Sequence, residues 1–276
     1  MPRPGTSAST LTARSVLLSV LLGTDPPRLP VRRLVRTTEL FGIAEGTTRT
    51  ALSRMAAAGE VVADDGWYGI ASGRLLARQA RQAASRHPGA LAWDGASWRQ
   101  AVVVADRPRS ADSRAALRAA LTSARLAELR EGVWLRPDNL GDVAGTLPAG
   151  AGGPAGAEGP EGEGAGEALH WFRAVPDGHP AALARRLWDL DAWAGRAGEL
   201  LDRMASLVGP LEEGAGDVLA DGFVLSADVL RHVQADPLLP PELLPASWPG
   251  TRLRDTYDRY DAAYRAVLGT WLAATD

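Results

Sequence analysis

The chain has 276 residues, no Cys and a formal net charge of -3 at pH 7. This length predicts about two or three domains of ordinary size. Without Cys, a disulfide framework, a thiolate nucleophile and a Cys-ligated metal site are excluded. The sequence has no Lys either, so all thirty basic residues are Arg, and Schiff-base chemistry and the lysine of a phosphate-binding loop are excluded as well.

Positive charge is concentrated in the N-terminal third. Residues 1–90 carry twelve Arg and six acidic residues, whereas residues 91–276 carry eighteen Arg and twenty-seven acidic residues. The basic N-terminal part is therefore the candidate for binding nucleic acid. The four His residues lie far apart, without the spacing of metal ligands, so we expect neither a metal site nor a cofactor.

An apolar run, SVLLSVLL, covers Ser15 to Leu22. It could be the apolar region of a signal peptide, but no cleavage pattern follows it, and a buried first helix capped by Thr10 or Thr12 is the preferred interpretation. The run is too short to span a bilayer. We expect a cytoplasmic protein without membrane contact.

The next elements predict a helix-turn-helix. After a short strand at 28–31, helical spacing covers 32–41 and 45–58, with a turn at Gly42. On the second of these helices, the side expected to face inward is apolar or small: Ile43, Thr48, Ala51, Leu52 and Met55. The side expected to face outward carries hydroxyls and Arg, as a helix in the major groove of DNA would: Thr47, Arg49, Thr50, Ser53 and Arg54.

A hairpin is predicted directly after this helix. The segments 61–63 and 67–70 alternate around Asp64-Asp65-Gly66, and Asp-Gly is a strong hairpin signal. Together these elements predict a winged helix-turn-helix over residues 1–86. The alternative is a winged helix that binds another protein, and the basic balance of this part of the chain favours DNA.

The middle of the chain predicts a ferredoxin-like sandwich over residues 87–180. Strands are expected at 98–105, 126–129, 133–135 and 170–175, and a helix at 113–123. Between Gly141 and Ala168, ten of twenty-eight residues are Gly and three are Pro. Because this composition offers almost no large apolar side chains, the segment is predicted to be a disordered insertion.

The C-terminal part, residues 181–276, is predicted to be helical. Apolar residues from Leu183 to Val208 recur at alternating steps of four and three, which is typical of a helical packing seam. Asp189 or Asp191 could instead cap a new helix and divide the seam in two. The segment DPLLPPELLPASWPG, residues 236–250, predicts an extended connection rich in turns before a last helix over 252–273.

Four motifs together resemble the PaaX family of bacterial transcriptional regulators. They are TALSRM at 50–55, GVWLRP at 132–137, LWDLDAW at 187–193 and DPLLPPELLPASWPG at 236–250. The resemblance implies a winged helix, a middle ferredoxin-like domain similar to the CRISPR adaptation nuclease, and a helical C-terminal domain. It also implies a dimeric repressor of phenylacetate catabolism, released from DNA by an aryl-acyl-CoA such as phenylacetyl-CoA.

From this resemblance we expect a ligand-responsive repressor, not an enzyme, that binds an inverted-repeat operator in double-stranded DNA as a homodimer. An acyl-CoA effector needs Arg for its phosphates and a ring for stacking. The candidates near the Pro-rich segment are Arg231, Trp248, Arg252 and Arg254. The alternative function is a metal-dependent nuclease built on the middle domain, with Asp106 as the single candidate ligand.

Overall fold

The computed structural model of the protein describes residues 11–24, 26–73, 75–77, 80, 86, 89–105, 110–147 and 167–274. Helices are combined with two antiparallel sheets, which confirms the predicted α+β class. The helices are α1 (Ala13–Gly23), α2 (Val31–Glu39), α3 (Glu45–Ala57), α4 (Ala111–Ser123), α5 (Pro180–Leu187), α6 (Leu190–Glu212), α7 (Leu219–Gln234) and α8 (Gly250–Ala273). The strands are β1 (Arg28–Pro30), β2 (Val61–Asp64), β3 (Trp67–Ile70), β4 (Trp98–Ala105), β5 (Ala127–Arg130), β6 (Val133–Pro137) and β7 (Glu167–Ala174).

The chain divides into two compact units that are not consecutive in sequence. The first contains Met1–Arg86, Leu200–Leu230 and Arg254–Asp276, and the second contains His87–Glu199 and Arg231–Leu253. The grouping of 200–230 and 254–276 with the N-terminal residues is not foreseen by the sequence. The three-domain division into 1–86, 87–180 and 181–276 stays a prediction.

In the first unit, the apolar run from Ser15 to Leu22 lies within α1 and is largely buried. Thr12 and Ser15 form a capping box, in which Ser15 N donates to Thr12 Oγ1 at 3.2 Å and Thr12 N donates to Ser15 Oγ at 3.1 Å. Leu17 and Leu21 are at most 1% exposed. The prediction of a buried first helix with Thr12 as its cap is therefore confirmed.

The core of the first unit joins the three N-terminal helices to a three-stranded sheet of order β1-β3-β2. Its buried members are apolar residues from each element: Val16, Leu17, Leu18, Val20, Leu21, Leu29, Leu34, Leu52, Met55, Val61 and Ile70. The hairpin turns at Asp65 and Gly66, whose φ angles are 42° and 74°. Positive φ at both central residues is the geometry that an Asp-Gly hairpin turn requires, so the predicted hairpin is confirmed.

In the second unit, four strands form an antiparallel sheet of order β5-β6-β4-β7. One face carries Ala101, Trp134 and Leu169 and packs against Leu117 and Leu121 of α4. On the other face, one end is covered by a separate apolar cluster of Trp98, Leu135, Ala184, Leu190, Leu239 and Leu243. The Pro-rich segment 236–250 therefore contributes directly to the core, through Leu239 and Leu243.

The predicted disordered insertion is wrong at both of its ends. Residues Gly141 to Leu147 are described and contain a 3-10 turn at Ala144–Thr146. Asp142 Oδ1 accepts a hydrogen bond from Gly145 N at 3.0 Å, and Val143 is buried against the core. At the other end, β7 begins at Glu167 and not at His170. The rest of the segment, 148–166, lies outside the described residues.

The helical seam from Leu183 to Val208 is divided in two, as the capping alternative predicted. α5 ends at Leu187, and Asp189 Oδ1 accepts a hydrogen bond from Ala192 N at 3.0 Å at the start of α6. An Asp that caps a helix in this way satisfies a backbone N–H that has no partner inside the helix. Within the part of the chain that the structure describes, no helix has the length and apolar character to cross a membrane.

Candidate nucleic-acid interface

Helix α3 is oriented by buried residues on one side only. Thr48, Leu52 and Met55 are at most 2% exposed and lie in or beside the core of the first unit. The helix ends at Ala57, and Gly59 follows with a φ of 68°. A left-handed Gly at this position ends a helix without steric cost.

The opposite side of α3 is exposed to solvent and carries every residue predicted to bind DNA. The five exposed side chains are Thr47, Arg49, Thr50, Ser53 and Arg54. The structure therefore brings the five predicted site residues together on one helix face. Their role in binding DNA stays a prediction.

The polar groups of this face differ in how they are held. Arg49 Nε donates to Glu45 Oε1 at 2.7 Å, one helical turn earlier. The Thr50 hydroxyl donates to the backbone oxygen of Gly46 at 2.8 Å, so its oxygen keeps its acceptor capacity. Arg54 forms no ion pair with any residue in the described ranges. The face thus presents one guanidinium paired with Glu45 and a second one without an ion pair to a described residue.

A buried hydrogen bond connects α2 to α3. Thr38 Oγ1 and Thr48 Oγ1 lie 2.6 Å apart, and both residues are fully buried. The Thr38 hydroxyl donates to Val35 O at 2.7 Å, whereas the other acceptor available to the Thr48 hydroxyl, Ala44 O, is 3.3 Å away, so we assign Thr48 as the donor to Thr38. Helical spacing predicts that Thr48 faces inward, but no local pattern predicts its partner.

The hairpin next to α3 has a mixed surface that its sequence pattern does not predict. The guanidinium carbon of Arg28 lies 5.2 Å from the centre of the Trp67 ring, and Arg28 Nη2 donates to Asp64 Oδ2 at 2.8 Å. Trp67 is 41% exposed. Asp64 and Asp65 place two carboxylates at the tip, which disfavours a close approach of phosphate groups there. An exposed aromatic residue next to an Arg is therefore the feature that this hairpin presents.

Residues from the C-terminal helices complete the first unit. The rings of Phe41 and Phe223 have centroids 5.0 Å apart, and the guanidinium carbon of Arg36 lies 4.0 Å from the centre of the Trp271 ring. Arg265 Nη1 donates to the backbone oxygen of Gly23 at 2.6 Å. These contacts reach α1, α2 and the turn before α3, so α7 and α8 help to hold the elements that present the exposed helix face.

The residues predicted to bind an effector are not all accessible. Arg231 and Arg252 are exposed, and Trp248 is half-buried. The Trp248 ring stacks on Trp193 with centroids 4.4 Å apart and planes 18° apart, so one of its faces is already covered. Arg254 is only 9% exposed and belongs to the first unit. A ligand that binds by ring stacking and through its phosphates can therefore use at most Arg231, Arg252 and Trp248.

Two of the sequence motifs meet in the second unit through a buried Arg. Arg136, in GVWLRP, is fully buried and donates to Asn139 Oδ1 at 2.8 Å and to Pro137 O at 3.0 Å. Its guanidinium also donates to the backbone oxygen of Leu238, in the Pro-rich segment, at 3.4 Å. Burial lowers the pKa of Arg136 to about 9, and the charge of Arg125 acts in the same direction.

Two further side chains reinforce this contact with the Pro-rich segment. Asn139 Nδ2 donates to Leu238 O at 2.9 Å, and Arg125 Nη1 donates to Asp236 O at 2.6 Å. The Asp236 carboxylate accepts a hydrogen bond from Leu238 N at 2.9 Å, where Leu238 has a φ of 52°. The motif residues therefore have a structural role in this unit, which the sequence analysis did not assign.

No described residues form a metal site of the kind that the nuclease alternative needs. Across the described ranges, no group of three or more His, Asp and Glu side chains could hold a metal ion. Asp106, the acid on which that alternative depends, lies outside the described residues.

Comparisons with known proteins identify the family. Residues 12–71 match the family model described as PaaX-like protein, and residues 188–273 match the model described as PaaX-like protein C-terminal domain. A solved structure, the uncharacterized protein Rv0674 from Mycobacterium tuberculosis, is 38% identical and has a TM-score of 0.68. The match covers 94% of this chain and 98% of that chain. None of the curated proteins matches the chain. The resemblance found in the motifs is thus confirmed, and the chain belongs to the PaaX-like protein family.

Proposed function

We propose that the protein is a transcriptional regulator that binds double-stranded DNA through a winged helix-turn-helix formed by α1, α2, α3 and the hairpin β2–β3. The observation that carries the proposal is the exposed face of α3, where hydroxyls and Arg stand opposite a fully buried apolar side. The family to which the chain belongs is one of transcriptional regulators, which supports DNA as the partner.

The chemistry of the face suits DNA. A guanidinium can bind guanine O6 and N7 with two hydrogen bonds or a phosphate with one or two, and a hydroxyl can contact either a base or the backbone. Arg49 pairs with Glu45 through Nε and keeps its Nη groups available for a base or a phosphate. Arg54 is exposed and not held by a described carboxylate, so it can adjust to the groove.

In the second unit we propose a ferredoxin-like domain. The order of strands along the chain, β4, β5, β6 and β7, and their order in the sheet, β5-β6-β4-β7, are those of this fold, and α4 lies between β4 and β5 as the fold requires. Between β6 and β7, the residues that the structure describes contain a 3-10 turn where the fold usually has its second helix.

The regulatory part of the proposal is a cytoplasmic homodimeric repressor that leaves an inverted-repeat operator when it binds an aryl-acyl-CoA such as phenylacetyl-CoA. Arg231 and Arg252 are exposed and can reach phosphates, and Trp248 can offer one ring face. The buried Arg254 is not accessible to a phosphate and is left out of the proposed site. Titration calorimetry with phenylacetyl-CoA and related thioesters tests this part, and no heat with protein that binds DNA overturns it.

The test of DNA binding is to sequence genomic fragments that the purified protein retains and then to measure affinity for the selected site. Arg54→Ala should weaken binding by about 1–3 kcal/mol if the guanidinium reads a base, with relaxed preference at one position. The matched control is Arg259→Ala, which removes the same charge from an exposed position on α8. Equal affinity of the natural protein, Arg54→Ala and Arg259→Ala for the selected site would contradict the binding of α3 in the groove.

A further inference from the structure

We propose that an open groove between α4 and the hairpin β5–β6 binds a small molecule that carries a diphosphate. The groove lies entirely within the second unit. It shares no residue with the proposed effector site formed by Arg231, Trp248 and Arg252. The inference is therefore independent of the role of α3 and of that effector site.

The groove has the size of a small-molecule site and a charged lining. Its volume is about 590 Å³, and sites for small molecules usually have about 300–1,000 Å³. Two of its seven lining residues are Ala of α4, and the other five are charged: Arg114, Arg118, Glu128, Arg130 and Glu131. A ligand in this groove therefore meets mainly charged groups, and most of them are cations.

Two of the three Arg side chains have no ionic partner. Arg114 and Arg130 are exposed, and neither forms an ion pair with a residue in the described ranges. Arg114 precedes Arg118 by one turn of α4, so these two cations share one face of the helix. Like charges at this spacing destabilise a helix. An anion bound between them would replace this repulsion with attraction.

Arg118 is held in place but keeps donors for a ligand. Its Nη1 lies 2.6 Å from Glu128 Oε2, and its guanidinium carbon lies 5.8 Å from the centre of the Trp134 ring. The side chain nevertheless remains 64% exposed. A guanidinium has five N–H groups, and a single carboxylate does not use all of them. Arg118 can therefore bind a phosphate while Glu128 and Trp134 orient it.

Arg130 brings a cation to the wall of the groove opposite α4. It lies two positions after Glu128 on β5, and alternate residues of a strand share a face. Both side chains line the groove. Because β5 is an edge strand of the sheet, this wall is open to solvent on its outer side. Guanidiniums thus stand on two walls, as a ligand with two separate phosphate groups requires.

The carboxylates of the groove favour a ligand with several negative charges. Glu128 is paired with Arg118, whereas Glu131 is exposed and has no ion pair with a described residue. Three Arg and two Glu give the groove a formal charge of only +1. A simple carboxylate gains little attraction in this setting. Phosphate groups gain more, because each can accept two parallel hydrogen bonds from a guanidinium.

Titration calorimetry of the full-length protein with pyrophosphate, ADP and coenzyme A tests the proposal, since all three carry a diphosphate. We expect saturable binding of at least one of them. Arg114→Gln and Arg130→Gln should each raise its dissociation constant by about tenfold or more, because each loses charge-assisted hydrogen bonds. Arg186→Gln is the matched control. It removes the same charge from an exposed position on α5 of the same unit and should leave the constant unchanged.

Glu131→Gln gives a readout that damage to the fold cannot imitate. Removing this carboxylate takes a like charge away from the bound phosphates, so the dissociation constant should fall. Weaker binding by this variant contradicts a site for anions in the groove.

The relative affinities identify the source of the diphosphate. Equal affinity for the three compounds indicates the diphosphate alone, tighter binding of ADP indicates a nucleotide, and tighter binding of coenzyme A indicates a coenzyme A compound. No binding of any of them overturns the proposal, and so does an equal loss in Arg186→Gln.

Two further outcomes separate the groove from the other proposed sites. Binding of coenzyme A that Arg114→Gln and Arg130→Gln leave unchanged overturns the groove but keeps the acyl-CoA effector. If these variants instead weaken binding to the selected DNA site, and none of the three compounds binds, the groove contacts DNA and the proposal is wrong.

Discussion

Phe41 and Phe223 face each other with ring centroids 5.0 Å apart and planes tilted by 60°, although one precedes α3 and the other lies in α7. The pair places a C-terminal side chain against the core of the N-terminal helices. An aromatic pair of this geometry contributes about 0.5–1.5 kcal/mol beyond the burial of its surface. The stability of the first unit therefore depends on residues far away in sequence.

We expect Phe223→Ala to lower the free energy of unfolding by about 2–3 kcal/mol, because it removes both the ring contact and buried surface. Val224→Ala is the control on the same helix. Val224 is 37% exposed, so its truncation should change stability by less than about 0.5 kcal/mol. Urea denaturation of the two variants measures the difference. Equal stabilities would show that the ring pair contributes nothing.

Thr48→Val should destabilise the protein by about 1–2 kcal/mol, since it leaves a buried hydroxyl oxygen of Thr38 without its donor at nearly constant volume. Thr50→Val is the matched change on the exposed side, where the hydroxyl donates only to its own helix. Its effect should stay within about 0.5 kcal/mol. Thermal or urea unfolding measures both. Equal effects of the two substitutions would contradict a stabilising hydrogen bond between Thr48 and Thr38.

Substitutions of Gly in two helices should have opposite signs. A Cβ at Gly222 would lie 2.9 Å from the Tyr264 ring and 3.0 Å from the Tyr260 hydroxyl, which donates to Gly222 O at 2.6 Å. Gly222→Ala should therefore cost about 1–3 kcal/mol. Gly195 is exposed in α6 with nothing within 4 Å of such a Cβ, so Gly195→Ala should stabilise the protein by about 0.5–1 kcal/mol. A stabilising Gly222→Ala would contradict the close packing of the tyrosines.

The stability of the protein should fall in mild acid because of His232. Burial lowers the pKa of His232 below its usual value of 6.5, and the charge of Arg196 acts in the same direction. Its hydrogen bond with Trp193 O, 3.0 Å long, and the charge of Asp236 oppose this change. Because the unfolded state takes up the proton first, this contribution is complete above pH 6.5 and is lost as the pH falls from there.

His232→Gln removes this titration. We expect urea unfolding at pH 7.5 and pH 5.5 to show a smaller loss of stability for the variant than for the natural protein. The stacking of Trp193 on the imidazole, with centroids 4.4 Å apart, is also lost, so the variant should be less stable at both pH values. An unchanged pH dependence would remove His232 as the cause.

Most secondary structure could be predicted from the sequence because the periodic patterns are strong. The strand at Trp98–Ala105, the hairpin at Asp65-Gly66 and the division of the seam at Asp189 all follow from local rules about alternation, turns and caps. The inward and outward sides of α3 follow from helical spacing for the same reason. These features depend on residues that are close together in the sequence.

The features that could not be predicted depend on distant residues. No local signal pairs Phe41 with Phe223 or Thr38 with Thr48, so the union of α7 and α8 with the N-terminal helices was not foreseen. The segment from Gly141 failed for a different reason. The composition of its twenty-eight residues is dominated by Gly, which outweighs the single buried Val143.

Arg136 donates a hydrogen bond to Leu238 O in the Pro-rich segment. This acceptor is a main-chain atom that every residue possesses. Asn139 uses the same oxygen, and Arg125 uses that of Asp236. Substituting a side chain of the Pro-rich segment leaves its main-chain oxygens in place, whereas a change in the course of the backbone moves them. Selection should therefore tolerate varied residues at many positions of this segment but not insertions or deletions, and its prolines, which restrict φ, are suited to keeping the carbonyl groups in place.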